Sequence, residues 1–139
     1  AKEFGPYAKN LRQVLIRLES HYTQGYGDGK HSPTKAIELL PGAVDEAQAC
    51  LQEDALLRRR MERVTDLIEG YEDPVGLELL SSVHWVMCHN PEAMLSPEAA
   101  ASVVQEWNAR KRRTLKPEQL TKAWRHLSSN GWAPAEATV

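Results

Sequence analysis

The sequence predicts a mainly α-helical fold, a compact bundle of five to six helices with one buried central helix at about Asp73–Cys88. Apolar residues fall on nearly every side of this segment, which is typical of a helix surrounded by other helices. In the other long segments, apolar residues recur at helical spacing. Asp73-Pro74 and Ser96-Pro97 each place an N-cap side chain before a proline at the first helical position. These patterns together indicate helices packed on helices.

Before the central helix, the chain is predicted to contain a glycine-rich connection and a short extended segment. Pro6 is expected to begin the first helix, which keeps its apolar spacing as far as Tyr22. The run from Gly25 to Gly29 ends that helix. Since no apolar strand precedes the run and no Lys-Ser/Thr pair follows it, it indicates a connection rather than a phosphate-binding loop. Ala36–Leu40 is expected to form a short strand or an extended lead-in.

Two more helices are predicted between this segment and Gly70. The first runs from about Ala43 to Gln52, with acidic residues in its first turn that suit the helix dipole. The second is capped by Asp54 and runs to about Glu69. Its apolar residues recur on one face, which is therefore expected to point inward. That predicted inner stripe consists of Leu57, Met61, Val64 and Ile68.

Two helices are predicted after the central one. The sequence His89-Asn90-Pro91 is expected to end the central helix. The next helix is expected to run from Ser96-Pro97 into the basic run Arg110–Arg113, because cations suit a helix C-terminus. Pro117 is expected to begin the last helix, which ends near Asn130-Gly131.

Length and composition favour one domain over residues 1–139, because 139 residues can bury a core of their own. Residues 1–5 have no evident structural role and are expected to be additions in front of an excised fragment. Residues 133–139 are expected to form a loose tail. Two cysteines do not make a disulfide framework, which favours a reducing cytoplasm. No apolar stretch reaches the roughly 20 residues of a membrane span, so no membrane contact is expected.

Charge is distributed unevenly along the chain, although the net charge is only −2. Between Glu38 and Glu78 there are eleven acidic and four basic residues. Between Val104 and His126 there are seven basic and two acidic residues. This separation of charge bears on possible partners more than the total does.

The central segment carries a resemblance to a known family. Tyr71-Glu72-Asp73-Pro74-Val75-Gly76-Leu77-Glu78-Leu79-Leu80, followed by Val83-His84-Trp85-Val86, resembles the C-terminal region of the DarG antitoxins. The similarity continues through Trp107 and Arg110-Lys111 to Gly131-Trp132, and is weak before Lys35. It covers roughly the last two thirds of the chain.

The resemblance implies a function in the DarT/DarG toxin–antitoxin system. In that family an N-terminal macrodomain removes ADP-ribose from DNA bases. The C-terminal region binds the toxin, a DNA ADP-ribosyltransferase, and is thought to occupy its single-stranded-DNA site. The implied partner of this chain is therefore a DarT-type toxin. We expect the chain to be a monomer and to need no cofactor.

An acidic face is the first candidate partner-binding site. Carboxylates spaced along an edge would complement a cationic DNA groove and speed association with it. The alternative is a solvated helix face with no partner, which residue spacing alone favours. The candidate residues of this face are Glu62, Asp66, Glu69, Glu72 and Asp73.

Aromatic anchors are the second candidate feature, since exposed aromatic side chains dominate the energetics of many interfaces. Trp85, Trp107 and Trp124 lie in apolar stripes and are expected to pack in the core. Trp132, beyond the last helix, and Tyr26, in the glycine-rich connection, are the candidates for exposed anchors.

Basic clusters support a rival hypothesis, a helical nucleic-acid-binding or autoregulatory domain. One cluster lies at Arg58–Arg63 and the other at Arg110–Lys116. The sequence pI of about 6.2 argues against this alternative, so direct nucleic-acid binding is not expected. An oligomerisation module is a third, weaker alternative. The candidate nucleic-acid contacts are Arg110, Lys111, Arg112 and Arg113.

No catalytic or metal-binding motif is recognisable in the sequence. His84 and Cys88 are four residues apart on one predicted helix, which supplies two metal ligands at most. A buried histidine with a satisfied hydrogen bond is the preferred interpretation of this pair. We therefore expect no catalytic residue, no metal site and no enzyme, because the macrodomain that does the chemistry of the family is not recognisable in this sequence.

Overall fold

A computed structural model describes residues 5–6, 8–26 and 36–134. The predictions for Tyr7, for Gly27–Gly29 and for residues 1–4 and 135–139 lie outside these described residues. The described part of the chain forms eight helices and one two-stranded sheet. In chain order these are α1 (Leu11–Leu18), β1 (Thr23–Gln24), β2 (Glu38–Leu39), α2 (Ala43–Glu53), α3 (Ala55–Ile68), α4 (Pro74–His89), α5 (Pro91–Leu95), α6 (Pro97–Trp107), α7 (Ala109–Thr114) and α8 (Pro117–Ser129).

The prediction of a mainly α-helical fold is confirmed, as is the short strand within Ala36–Leu40. Two short helices, α5 and α7, raise the number of helices above the predicted five or six. The sequence predicts one domain, whereas the contacts between residues divide the chain into two compact units. Of the described residues, the first unit contains 5–6 and 64–134, and the second contains 8–26 and 36–63.

The first unit holds the hydrophobic core. Its central element is α4, which packs against α5, α6 and α8, while α6 also packs against α7 and α8. Val83 of α4 and Val104 of α6 are fully buried, and Leu120 of α8 lies in the same cluster. At the rate of about 25 cal/mol per Å² of buried apolar surface, such side chains supply most of the stabilisation of a small domain. The predicted burial of the central helix is confirmed.

The helix predicted to run through Arg113 is interrupted, which corrects the prediction. It ends at Trp107, because Asn108 adopts an extended backbone with φ −164° and ψ 166°. The Asn108 side chain accepts a hydrogen bond from the Lys111 amide at 2.8 Å and so caps α7 as a new helix. The basic run therefore belongs to a separate short helix with its own orientation.

The second unit contains α1, the sheet, α2 and most of α3. The strands are antiparallel, with Thr23 opposite Leu39. Among the described residues of this unit only Thr23 and Ala43 are buried. The first helix begins at Leu11 rather than at Pro6, which corrects a second prediction.

The inward stripe predicted for α3 is also largely wrong. Leu57, Met61 and Val64 are 42%, 47% and 40% exposed, and only Ile68 packs against the core of the first unit. Helical spacing identifies an apolar face, but it does not show that another element covers that face. No described helix is long and apolar enough to cross a membrane.

Candidate partner-binding surface

Four of the five predicted carboxylates lie in the first unit, where the chain passes from α3 to α4. Asp66 lies in the last turns of α3, Glu69 and Glu72 lie in the connection, and Asp73 is the N-cap of α4. We call these four residues the acidic edge. All four are exposed, and no ion pair joins them to another described residue. The carboxylates of Asp66, Glu69 and Glu72 are therefore open to a partner.

Glu62, the fifth predicted carboxylate, belongs to the second unit. Its Oε1 lies 3.9 Å from Arg58 Nε, one helical turn away, and its side chain is 63% exposed. Such an exposed pair contributes little to stability.

One residue of the acidic edge has a structural role that the prediction of a binding face did not include. Asp73 Oδ1 accepts hydrogen bonds from the amides of Val75 at 2.8 Å and Gly76 at 3.0 Å. Gly76 is tightly enclosed, since an added Cβ would lie 2.7 Å from the Tyr71 carbonyl oxygen. The cap and the close approach together hold Asp73 and the Tyr71 backbone against the start of α4.

Replacing Asp73 by alanine is expected to lower the free energy of unfolding by about 1 kcal/mol, because two amides of the first turn lose their acceptor. Thermal or chemical denaturation measures this loss. The matched control is Glu72→Ala, which removes a neighbouring exposed carboxylate and is expected to stay within about 0.5 kcal/mol of wild type. Equal losses in the two variants would contradict the capping role.

An open cleft of about 570 Å³ borders the acidic edge. Glu69 and Asp73 line it together with Tyr71, Lys122 and His126. His126 Nε2 donates a hydrogen bond to the Leu67 carbonyl at 2.8 Å, which fixes that nitrogen as the protonated one. Because the lining mixes both signs of charge, the cleft is a less selective cation site than the exposed edge beside it.

A largely enclosed cluster of charged side chains joins α4 to α7. Both Glu78 carboxylate oxygens accept from Arg110, at 2.6 Å from Nη1 and 2.9 Å from Nη2. Lys111 Nζ donates to Glu78 Oε1 at 2.8 Å and to Ser82 Oγ at 2.9 Å. Lys111 is completely buried, and the cluster ties α7 to the middle of α4. Gly5, which the sequence placed outside the domain, is buried beside Ser82 and Lys111.

Burial alone would raise the pKa of Glu78, but hydrogen bonds from Arg110 and Lys111 outweigh it and hold this pKa below its usual range. A carboxyl group whose pKa is lower in the folded state stabilises the fold above its unfolded pKa. That stabilisation is lost as pH falls through the folded pKa.

The free-energy difference between wild type and Glu78→Gln is therefore expected to be constant near neutral pH and to shrink below about pH 4, as Glu78 itself becomes neutral. Urea denaturation of both proteins between pH 7 and pH 3 measures this difference. A difference that does not change with pH would contradict a charged Glu78 at the centre of the cluster.

The basic run splits into two parts, which corrects the view of Arg110–Arg113 as one nucleic-acid-binding patch. Lys111 is buried and Arg110 is paired with Glu78, so neither is presented to a phosphate chain. Arg112 and Arg113 are exposed. Lys116 begins α8 in a capping arrangement with Gln119, and the cluster at Arg58–Arg63 lies exposed on α3 of the second unit.

The predicted aromatic anchors are more enclosed than expected. Trp132 is half-buried, packs against the core and meets the His84 ring edge-on at 6.0 Å. Tyr26 is also half-buried, and its amide donates to Glu19 Oε2 at 3.1 Å. Trp85, Trp107 and Trp124 pack against the core as expected, although each is only half-buried, and Trp85 and Trp107 also line a separate pocket.

His84 and Cys88 are adjacent on α4, with Nε2 and Sγ 3.7 Å apart. His84 is half-buried and Cys88 is exposed, so the pair lies nearer the surface than the preferred interpretation placed it. Partial burial raises the pKa of the Cys88 thiol. In residues 5–6, 8–26 and 36–134, no group of three or more His, Cys, Asp or Glu side chains is arranged to hold a metal ion.

The fold places the chain in the class of mainly α-helical proteins, and sequence comparison makes that class more specific. No family model matches the chain. It is similar to proteins named DNA ADP-ribosyl glycohydrolase. The relative from Thermus aquaticus is 42% identical over 110 residues, covering 79% of this chain and 29% of the relative. Relatives from Mycobacterium tuberculosis and Mycobacterium bovis are each 34% identical over 122 residues, covering 84% of this chain and 34% of the relative.

These relatives support the DarG-type family that the resemblance implied. They also contradict the expectation that the chain is not an enzyme. The relatives that align with most of this chain are named for an enzyme activity. The expectation rested on the lack of a recognisable catalytic motif and of a recognisable macrodomain in this sequence. The chain spans about a third of the length of these relatives.

Proposed function

We propose that this chain binds and neutralises a DarT-type DNA ADP-ribosyltransferase toxin by occupying the groove that holds the toxin's single-stranded DNA. Similarity to DNA ADP-ribosyl glycohydrolases supports the choice of system, since such an enzyme removes from DNA the group that such a toxin adds. We propose that the chain acts in the cytoplasm, in the same system as the glycohydrolase activity that the name of its relatives states.

The observation that carries the proposal is the acidic edge. A groove that holds single-stranded DNA needs cations for the phosphates. Asp66, Glu69 and Glu72 are exposed, lie within seven residues of chain and form no ion pair with a described residue. Their negative charge is therefore not neutralised within the described fold, as a surface that imitates a phosphate chain requires.

The connection that carries these carboxylates is held in place rather than loosely tethered. Asp73 caps α4, and the Tyr71 amide donates to the Ile68 carbonyl at 2.8 Å, which closes the turn after α3. A preformed row of charges loses less conformational entropy on binding than a flexible one. This rigidity supports a binding role over that of a merely solvated helix end.

Isothermal titration of the chain into a catalytically inactive DarT-type toxin tests the proposal directly. We expect saturable binding, together with inhibition of ADP-ribosylation of a single-stranded oligonucleotide by the active toxin. The same preparation is assayed for release of ADP-ribose from modified DNA, which separates blocking from reversal. If the chain does not bind the toxin but does bind DNA with a steep salt dependence, the proposal is wrong. The exposed Arg112 and Arg113 then become the candidate DNA-binding residues.

A further inference from the structure

A second pocket, of about 360 Å³, lies between the end of α4 and the side of α6. It is separate from the acidic edge and lies wholly in the first unit. Two indole rings line it, those of Trp85 and Trp107. The pocket is also lined by His89, Val103 and Glu106.

The aromatic rings of this pocket are held in position. Trp85 stacks on His89, with ring centroids 3.8 Å apart and planes 18° from parallel. His89 Nδ1 lies 2.8 Å from the Trp85 carbonyl oxygen and donates to it. The Trp107 ring already receives a cation from within the chain, since Lys111 Nζ lies 5.0 Å from its centroid. Both indoles are half-buried, so part of each ring stays open to the pocket.

Glu106 is the one acidic residue that lines the pocket, while the Lys111 ammonium lies against the Trp107 ring. Glu106 is exposed and accepts one hydrogen bond, from Ser102 Oγ at 3.2 Å. It forms no ion pair with a described residue, and no lysine or arginine lines the pocket. His89 covers part of the Trp85 ring and Lys111 lies against Trp107, so a ligand reaches only the ring surface that remains open to the pocket. A carboxylate without an ion-pair partner in a pocket lined by two indole rings favours a cation and disfavours a phosphate chain.

We infer that this pocket receives an arginine side chain of the protein partner. A guanidinium group is planar, stacks on indole rings and presents a fork of N–H donors that fits one carboxylate. The inference rests on the proposed function, because a toxin groove that binds DNA is rich in such side chains. The pocket would add a specific anchor to the less specific attraction of the acidic edge.

Nuclear magnetic resonance of the four tryptophan indole N–H groups tests the pocket without the toxin. Titration with argininamide is expected to shift the Trp85 and Trp107 signals and to leave Trp124 and Trp132 unchanged. Citrullinamide, which has the same shape without the charge, and the variant Glu106→Gln are expected to give much smaller shifts. Equal shifts with citrullinamide, or with thymidine in place of argininamide, would overturn the inference and indicate a pocket for neutral planar groups.

Toxin binding by the full chain then separates this inference from the proposed function. Glu106→Gln and Trp85→Leu are each expected to weaken binding about tenfold. Glu98→Gln, an exposed carboxylate on the same helix as Glu106, is the matched control and is expected to bind as wild type does. If wild type binds the toxin and both pocket variants bind equally well, the inference is wrong and the proposed function stands. If wild type does not bind, the proposed function fails.

Discussion

Replacing Glu78 by leucine is expected to destabilise the protein by about 3–5 kcal/mol, the largest stability effect of any single change considered. The substitution leaves Lys111, which is 0% exposed, with Ser82 Oγ as its remaining described hydrogen-bond acceptor. A buried ammonium group without a counter-ion lowers the stability of the fold by far more than the ion pair itself contributes, because its desolvation penalty is no longer offset. Chemical denaturation at neutral pH measures the loss.

The companion variant Glu78→Leu/Lys111→Met removes both charges and is expected to recover most of the lost stability, since an apolar pair can replace a buried ion pair. Glu92→Leu, which replaces an exposed carboxylate on α5, is the control and is expected to change the free energy of unfolding by less than about 0.5 kcal/mol. If the double variant is no more stable than Glu78→Leu, the loss does not come from the uncompensated lysine.

Reversing charge on the acidic edge is expected to weaken toxin binding more than any other surface change. The variant Asp66→Lys/Glu69→Lys converts two exposed carboxylates that form no ion pair with a described residue. Like charges brought together at an interface cost several kcal/mol, so we expect binding to fall by about a hundredfold or more. Asp73 is left unchanged because it caps α4. Calorimetry at two salt concentrations measures the affinity.

The control for this variant is Glu92→Lys/Glu98→Lys, which changes the net charge equally on α5 and α6. A general electrostatic attraction between chain and toxin would make both double variants lose affinity to the same extent. Docking through the acidic edge predicts a small loss for the control and a weaker salt dependence for the edge variant.

Much of the fold could be predicted from local sequence signals. Asp73-Pro74 and Ser96-Pro97 start helices where predicted, because an N-cap and a proline act within one turn. Asn108 was missed as a helix boundary, since asparagine also occurs within helices and its capping bond became clear only from the extended backbone. Spacing alone identified the apolar face of α3, but not its exposure at Leu57 and Met61.

Contacts between residues far apart in the chain could not be predicted from the sequence. Glu78 was visible as an acid in an apolar helix, yet its partners Arg110 and Lys111 lie more than thirty residues away. The same pairing removed two residues from the predicted basic patch. The pocket of Trp85 and Trp107 was not predicted either. Apolar spacing assigned both rings to the core and could not show that they line one pocket.

Competition between the chain and single-stranded DNA for a catalytically inactive toxin tests the central claim most directly. If both occupy one groove, the apparent dissociation constant of the chain increases in proportion to the concentration of the oligonucleotide, with no upper limit. A chain that binds elsewhere would give an affinity that does not change, or that levels off, as DNA is added. Either of those results would contradict occupation of the DNA groove.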